Sequence, residues 1–204
     1  MKSVTVDDVL AQNPCDEYTR ERIEELFAGR SSLTAPDVML LDIPIEDRTW
    51  ALNTCGLVPT RVCLEWIVEC AEGVLPLFED IEPGDTSLKK IVASVRKVLQ
   101  RYHTPLPVEP ADFSCWPTKA IYYRDWTASL IRIAVSSVED VIRGGDPYFY
   151  AAPIFSMQAA LKATFNEADS ADHNDTARRV LERQLSKWHS ERLHNLITAY
   201  ERVF

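Results

Sequence analysis

Residues 42–91 read DIPIEDRTWALNTCGLVPTRVCLEWIVECAEGVLPLFEDIEPGDTSLKKI, and this stretch decides the fold class. Its 59–78 portion predicts an amphipathic helix, because apolar residues recur there about every 3.6 positions. The residues of this stripe are Val62, Cys63, Trp66, Ile67, Cys70, Val74 and Leu75. Gly73 weakens the helix pattern, and Pro76 predicts a kink or an end of the helix at that point. The Pro-Gly-Asp turn at 83–85 predicts the start of the next helix.

A second face of the same helix carries Glu65, Glu69 and Glu72, which stand at positions i, i+4 and i+7. Three interpretations are open for these carboxylates: a solvated face, a face offered to a basic partner, or a metal-binding face. The third would need the Glu-x-x-His motifs of di-iron bundles, and the sequence contains none. We therefore expect an acidic helix face, with neither a metal nor a cofactor.

The remainder of the chain also reads as helical. Helix-start signals occur at Thr5, Asp16, Thr34 and Ile43, and Gly29 predicts the end of the second helix. Further apolar patterns predict long helices over 118–143 and 148–165, and a final helix of about 28 residues that Asp175 or Thr176 caps. No alternating strand pair or Asn-Gly hairpin is visible. The prediction is an all-α bundle of roughly eight to nine helices.

The main interruption lies at residues 102–117, which contain four prolines and cannot continue a helix. We expect a single all-helical domain over 1–204. Within it, an acidic sub-lobe (1–101) and an aromatic-rich sub-lobe (118–204) are expected to be joined by this proline-rich connection.

The charge of the chain is unevenly distributed. The formal net charge is -9; residues 1–90 hold 18 acidic and 8 basic side chains, whereas residues 91–204 hold 13 acidic and 14 basic ones. An acidic half is repelled by phosphate backbones, so no direct contact with nucleic acid is expected. The same charge would attract a basic protein, although acidity also serves solubility alone.

Location and redox state follow from simple counts. No run of 18 apolar residues exists, so no membrane contact is expected, and the first residues lack the apolar segment of a secretory signal. A cytoplasmic location is the default expectation. Five cysteines without a C-x-x-C pair predict small core residues, notably Cys63 and Cys70.

A search for catalytic patterns finds little. His189 and His194 are five residues apart, so they cannot share a helix face as zinc ligands do, and solvated or partly packed histidines are expected. Asp42, Glu46 and Asp47 crowd a predicted helix start, where carboxylates favour the helix dipole. A small carboxylate-dependent enzyme using Asp42 or Asp47 is the weakest alternative, and we expect no enzyme.

The second half of the chain is rich in aromatic side chains. They include Tyr122, Tyr123, Trp126, Tyr148, Phe149 and Tyr150. Most are expected in the core, and an exposed fraction would supply interface anchors. A self-assembling helical scaffold, for instance a homodimer, is therefore a further alternative.

Several motifs resemble one family. The patterns IP-x-x-DR-x-W at 43–50, W-x-x-x-CAE-x-x-LPLFE at 66–79 and PGD before Lys89-Lys90-Ile91 are similar to immunity proteins of the Imm-5-like type, which occur in bacteria and prophages. Lys187-Trp188 with Glu191-Arg192-Leu193 resembles that family's closing helix, and Pro14-Cys15, Tyr18 and Arg22 look like phage-associated members. The likeness covers about residues 13–95 and 178–197. Family members have an alanine-rich middle, whereas residues 102–165 here are proline-rich and then aromatic.

The resemblance implies an intracellular protein that neutralises another protein, and the family has no established catalytic residues to carry over. We expect a non-enzymatic inhibitor that binds a basic toxin or defence protein through an acidic helical face. The carboxylates expected to contact the partner are Glu65, Glu69, Glu72, Glu79 and Asp80. A phage-encoded inhibitor of a bacterial nuclease defence, such as an anti-CRISPR, would use the same physics.

Overall fold

The computed structural model describes residues 1–102, 106–120, 123–142, 151–164 and 172–204. Within these ranges the chain forms nine α-helices, which confirms the prediction of an all-α bundle. The elements are β1 (Ser3–Val4), α1 (Val6–Leu10), α2 (Arg20–Phe27), β2 (Leu33–Thr34), α3 (Ala35–Met39), α4 (Ile45–Thr54), α5 (Thr60–Ile81), α6 (Ser87–Tyr102), α7 (Arg124–Ile142), α8 (Ala151–Thr164) and α9 (Asp172–Val203).

A short antiparallel strand pair joins the N-terminus to the segment before α3. Ser3 pairs with Thr34, and Val4 pairs with Leu33. The expectation that the chain has no strand pair is therefore wrong. Strands of two residues are too short to show the alternation of apolar and polar side chains that marks a strand in sequence.

Each of these strands leads directly into a helix with the same cap. The carboxylate of Asp8 accepts a hydrogen bond from the backbone N–H of Thr5 over 2.8 Å, and Asp37 accepts one from the N–H of Thr34 over 2.8 Å. The Thr5 hydroxyl in turn accepts from the Asp8 N–H over 3.2 Å. Such reciprocal bonds satisfy N–H groups that a helix start leaves without partners, and they fix where α1 and α3 begin.

Several predicted helix boundaries differ from the observed ones. The helix start predicted at Asp16 lies four residues later, where Thr19 caps α2 at Arg20. The central helix α5 continues through Pro76 as far as Ile81. The last helix α9 already begins at Asp172, before the predicted caps Asp175 and Thr176. Tertiary packing holds α5 helical beyond its proline, in spite of the hydrogen bond that proline removes.

The helices predicted over 118–143 and 148–165 correspond to α7 and α8. Residues 118–120 remain irregular, so the first of these helices begins later than expected. Positions 121–122, 143–150 and 165 lie outside the described residues.

Helix α5 is the centre of the bundle and packs against α6, α7, α8 and α9. Its stripe is buried as predicted except for Leu75, which is partly buried; Trp66 and Cys70 are fully inaccessible and Cys63 nearly so. Buried apolar side chains from α5 and from α7, α8 and α9 belong to one cluster. None of the described helices contains an apolar stretch of the length that a bilayer crossing requires.

The described part of the proline-rich segment, residues 106–117, runs irregularly but is anchored to the bundle. Leu106 and Trp116 are buried. The indole of Trp116 lies so close to Gly73 that a Cβ atom there would meet Trp116 Cδ2 at 3.0 Å. The indole N–H of Trp188 on α9 donates to the carbonyl of Asp112 over 2.5 Å. The segment therefore covers the contact between α5 and α9.

Candidate functional site

The five carboxylates predicted to contact a partner all lie on α5, and each is paired within the chain. Glu79, with half of its side chain exposed, accepts from the Lys89 ammonium over 2.9 Å. Asp80 accepts from the Arg124 guanidinium over 3.1 Å and from the backbone N–H of Ala120 over 3.2 Å. Both side chains keep partial access to solvent.

The other three carboxylates form an ionic cluster with three arginines from α5, α6 and α9. The members of this ionic cluster are Glu65, Glu69, Glu72, Arg61, Arg96 and Arg192. Arg96 donates to both oxygens of Glu72, over 2.8 and 2.6 Å, and also to Glu65. Arg61 donates to the remaining oxygen of Glu65 over 2.5 Å. Three negative and three positive charges cancel, so the ionic cluster carries no net charge that would attract a basic partner.

Glu69 is the most buried carboxylate of the ionic cluster, with 4% of its surface exposed. Arg192 holds it with two hydrogen bonds, from Nε over 2.6 Å and from Nη2 over 2.5 Å. Burial raises the pKa of Glu69, and the hydrogen bonds from Arg192 oppose that shift. The prediction of a solvated acidic face is wrong for Glu65, Glu69 and Glu72, because α6 and α9 pack over this side of α5. A contact between these residues and another protein stays a prediction.

His189 on α9 is fully buried, so the expectation of a solvated or partly packed histidine is wrong for this residue. The indole N–H of Trp66 donates to its Nδ1 over 3.1 Å. The rings of Trp66, Trp116 and Trp188 all meet the imidazole edge to face. Burial lowers the pKa of His189 to about 3, and the positive charge of Arg48 adds to this effect. The imidazole is therefore neutral at physiological pH.

The thiol of Cys70 lies 3.8 Å from Nδ1 of His189, a pairing that resembles a nucleophile and its base. Burial shifts the pKa of each group in the direction opposite to the one that catalysis needs. It raises the pKa of the Cys70 thiol well above its usual range and lowers that of His189. Both groups stay neutral and inaccessible, so the pair belongs to the core.

Two of the aromatic residues expected mostly in the core can be located, and both are exposed. Tyr123 is 38% exposed and Trp126 is 61% exposed, and the ammonium of Lys162 on α8 lies over both rings. The backbone of Tyr122, Tyr148, Phe149 and Tyr150 lies outside the described residues.

A cavity of about 340 Å³ lies among the first four helices and the strand pair. We call it the N-terminal cavity. Its inner wall consists of core side chains that are 1–3% exposed, namely Val4, Ile23, Phe27, Leu33 and Val38. The remaining lining residues are more accessible and include Cys15, Tyr18, Glu46, Asp47 and Trp50. The cavity therefore extends from an accessible mouth into the apolar core.

The polar groups of this cavity come from the mouth. The hydroxyl of Tyr18 donates to Oδ2 of Asp47 over 2.5 Å, and Glu46 accepts from the side-chain amide of Gln158 over 2.7 Å. Burial and the hydrogen bond to Asp47 raise the pKa of Tyr18, so its hydroxyl stays a donor. As predicted, Glu46 and Asp47 lie in the first turn of α4. Asp42, just before α4, is exposed.

The sequence offered no direct sign of the cavity, because its walls come from residues 4 to 51 on separate elements. Cys15 and Tyr18 are about thirty positions from Asp47 and Trp50, so nothing in the sequence links the two pairs. Only the folding of α1 to α4 around one space brings these side chains together.

No family model, curated protein or solved structure matches this chain. The likeness to Imm-5-like immunity proteins thus stays a prediction. No three His, Cys, Asp or Glu side chains among the described residues are placed to hold a metal ion.

Proposed function

We propose that this chain is a non-enzymatic inhibitor of the immunity type, which binds a basic toxin or defence protein and covers its functional surface. The observation that carries the proposal is the display of acidic side chains by the first four helices. Residues 1–58 contain eleven acidic and five basic side chains, and nine of the eleven acidic residues are exposed.

Part of this negative charge is compensated within the chain, because Arg20 pairs with Asp7 and Glu24, Arg22 with Glu25, and Arg30 with Asp37. Asp16 and Glu17 are exposed and make no hydrogen bond or ion pair with any described residue. The guanidinium of Arg48 turns inward to the carbonyls of Ile43 and Met39 and to the hydroxyl of Ser186, and its charge acts on Asp42 and Glu46 but makes no ion pair with them. The acidic surface of the proposal is therefore centred on Asp16 and Glu17, in the turn between α1 and α2, with Glu79 and Asp80 as further candidates.

The mechanism would be occlusion. Long-range attraction brings a basic partner to the acidic surface and raises the association rate, whereas apolar side chains at the contact slow dissociation. A nuclease toxin and a nucleic-acid-binding defence protein both present cationic clefts of this kind, so toxin immunity and phage anti-defence share the same chemistry.

The experiment captures partners from a lysate with the full chain, purifies each captured protein and measures its activity. The proposal expects a basic protein whose activity falls in proportion to added chain, with an association rate that decreases as salt increases. The variant Asp16→Lys with Glu17→Lys should slow association about tenfold or more.

The matched control is Glu191→Lys with Glu109→Lys, which makes the same change of charge on two exposed residues that line a groove between α9 and the proline-rich segment. It should leave the association rate within about twofold, because no residue of 1–58 lines that groove. The proposal fails if the captured protein keeps full activity at saturating chain, or if both variants slow association equally.

A second candidate function is self-assembly, and exposed apolar side chains at α7 favour it. Trp126 and Ile133 on α7 line one groove together with Tyr123, which precedes the helix, and the three are 61%, 44% and 38% exposed. Exposed aromatic groups that share a face often mark interfaces. Sedimentation velocity of the wild type and of Trp126→Lys tests this: a dimer that the substitution abolishes would support it, and a monomer at every concentration would exclude it.

A further inference from the structure

We propose that the N-terminal cavity binds a small amphiphilic cation, a compound with an aromatic or branched apolar body and a protonated amine. This inference concerns a ligand inside the fold and does not depend on the proposed inhibitor function. It follows from the depth of the cavity, from the chemistry of its wall and from the charge at its mouth.

The depth favours a small molecule over a protein surface. Leu33 and Ile23 line the cavity although only 1% and 2% of their surface is exposed. A partner protein could reach such residues only with a single inserted side chain, whereas a small ligand can enter completely. The volume of about 340 Å³ falls within the range of pockets that bind small ligands.

The wall selects an apolar body. The inner part of the cavity is formed by Val4, Ile23, Phe27, Leu33 and Val38, none of which carries a polar side-chain atom. Transfer of apolar surface from water into such a space is favourable by roughly 25 cal/mol per Å².

The mouth selects a positive charge. Asp47 and Glu46 both line the cavity, and no lysine or arginine is among the described residues that line it. The Oδ2 atom of Asp47 accepts from Tyr18, which orients the carboxylate and leaves Oδ1 for a ligand ammonium. Two arginines are close enough to influence Tyr18, but neither lines the cavity. Arg22 pairs with Glu25 over 3.1 Å, and Arg48 donates to backbone carbonyls in the interior.

Aromatic rings at the mouth add to this selectivity. Tyr18 and Trp50 line the cavity together with Asp47. Ring faces attract ammonium groups, and the attraction is larger where water is excluded. A carboxylate beside two aromatic rings therefore suits an alkylammonium better than a neutral or anionic group of the same shape.

The test uses three probes of matched size: 4-phenylbutylamine, 4-phenylbutanol and 4-phenylbutanoate. Isothermal titration calorimetry of the full chain should give the amine a dissociation constant about tenfold or more below that of the alcohol, because a hydrogen bond to a charged group contributes about that much. The carboxylate should bind more weakly than the alcohol.

Variants locate the binding. Asp47→Asn should abolish the preference for the amine over the alcohol while the alcohol still binds. Ala51→Phe should block all three probes, since Ala51 lines the cavity. Glu191→Gln, which removes one exposed carboxylate far along the chain on α9, should leave all three affinities unchanged. Thermal unfolding confirms that each variant is folded, and Val9→Phe replaces Ala51→Phe if the latter is not.

Several outcomes would overturn the inference. These are equal affinity for amine and alcohol, tightest binding of the carboxylate, or no saturable binding of the amine. Survival of the amine preference in Asp47→Asn would also overturn it. Sedimentation velocity tests whether a second copy of the chain occupies the cavity instead of a small ligand. A dimer that Ala51→Phe abolishes would mean that it does, and this would also overturn the inference.

Discussion

Arg192 on α9 holds Glu69 on α5 through two hydrogen bonds, although the two residues stand 123 positions apart in the chain. Both side chains are almost inaccessible, at 8% and 6% exposure. Arg192 also donates to the carbonyl of Glu109 over 2.8 Å. One guanidinium therefore joins the central helix, the last helix and the proline-rich segment.

This pair should be essential to stability. Glu69→Gln leaves the buried charge of Arg192 without its counter-ion, and such a loss costs about 3–5 kcal/mol in free energy of unfolding. Urea denaturation monitored by tryptophan fluorescence measures the change.

One control variant defines this result. Glu191→Gln changes an exposed carboxylate whose ammonium partner is 3.7 Å away, and it should alter the free energy of unfolding by no more than about 0.5 kcal/mol. If Glu69→Gln were equally mild, the pair would not be the joint that the geometry indicates.

Gly73 should tolerate no larger residue. Alanine favours helices over glycine by about 1 kcal/mol, but its Cβ would lie 3.0 Å from Trp116. Trp116 cannot move away easily, because Trp188 and His189 pack edge to face against it. Overpacking of this kind costs about 1–3 kcal/mol, so Gly73→Ala should lower the free energy of unfolding.

The double-mutant cycle with Trp116→Leu provides the control for Gly73. In the Trp116→Leu background the tightest contact is gone and Phe113 Cδ1, at 3.2 Å, is the main neighbour that remains, so Gly73→Ala should cost clearly less there. An equal loss in both backgrounds would show that the close approach of Trp116 is not the cause.

The helical scaffold could be predicted from the sequence because it depends on local periodicity. The stripe around Trp66 predicted the buried side of α5, and the helix starts at Thr5 and Thr34 were likewise correctly located. In both helices the aspartate stands three residues after the threonine. This local spacing allows the two residues to form the hydrogen bonds that cap the helix.

The environment of the charged residues could not be predicted, because it depends on distant chain segments. The spacing of Glu65, Glu69 and Glu72 correctly placed them on one side of α5. Nothing local shows that Arg96 and Arg192 would cover that side. The burial of His189 likewise depends on the proline-rich segment, which brings Trp116 against it.

His189 should make stability depend on pH. Its pKa is about 3 in the folded chain and about 6.5 when unfolded, so the unfolded state binds more protons between these values. The free energy of unfolding should therefore fall as pH falls below about 6.5, by up to about 1.4 kcal/mol per pH unit from this group.

The variant His189→Asn isolates this contribution, because an amide oxygen can accept from Trp66 without titrating. The difference in free energy of unfolding between wild type and variant should shrink as pH falls from neutral. The NMR resonance of His189 is the one that is missing from the spectrum of His189→Asn. If that resonance titrated near pH 6.5 in the wild type, it would contradict a buried, neutral imidazole.

Trp188 should hold the proline-rich segment in place. Its indole N–H donates to the carbonyl of Asp112, and its ring packs on Phe113 and Trp116. Trp188→Phe keeps an aromatic ring but removes the donor, and the loss of this part-buried hydrogen bond costs about 0.5–1.5 kcal/mol. The loss should act locally, so hydrogen exchange in residues 106–117 should accelerate more than exchange in α5.

Trp126→Phe, at a side chain that is 61% exposed, is the matched control and should leave exchange in 106–117 unchanged. If Trp188→Phe instead accelerated exchange in α5 and in 106–117 by the same factor, the segment would open only with the whole bundle, and the indole bond would not be what holds it.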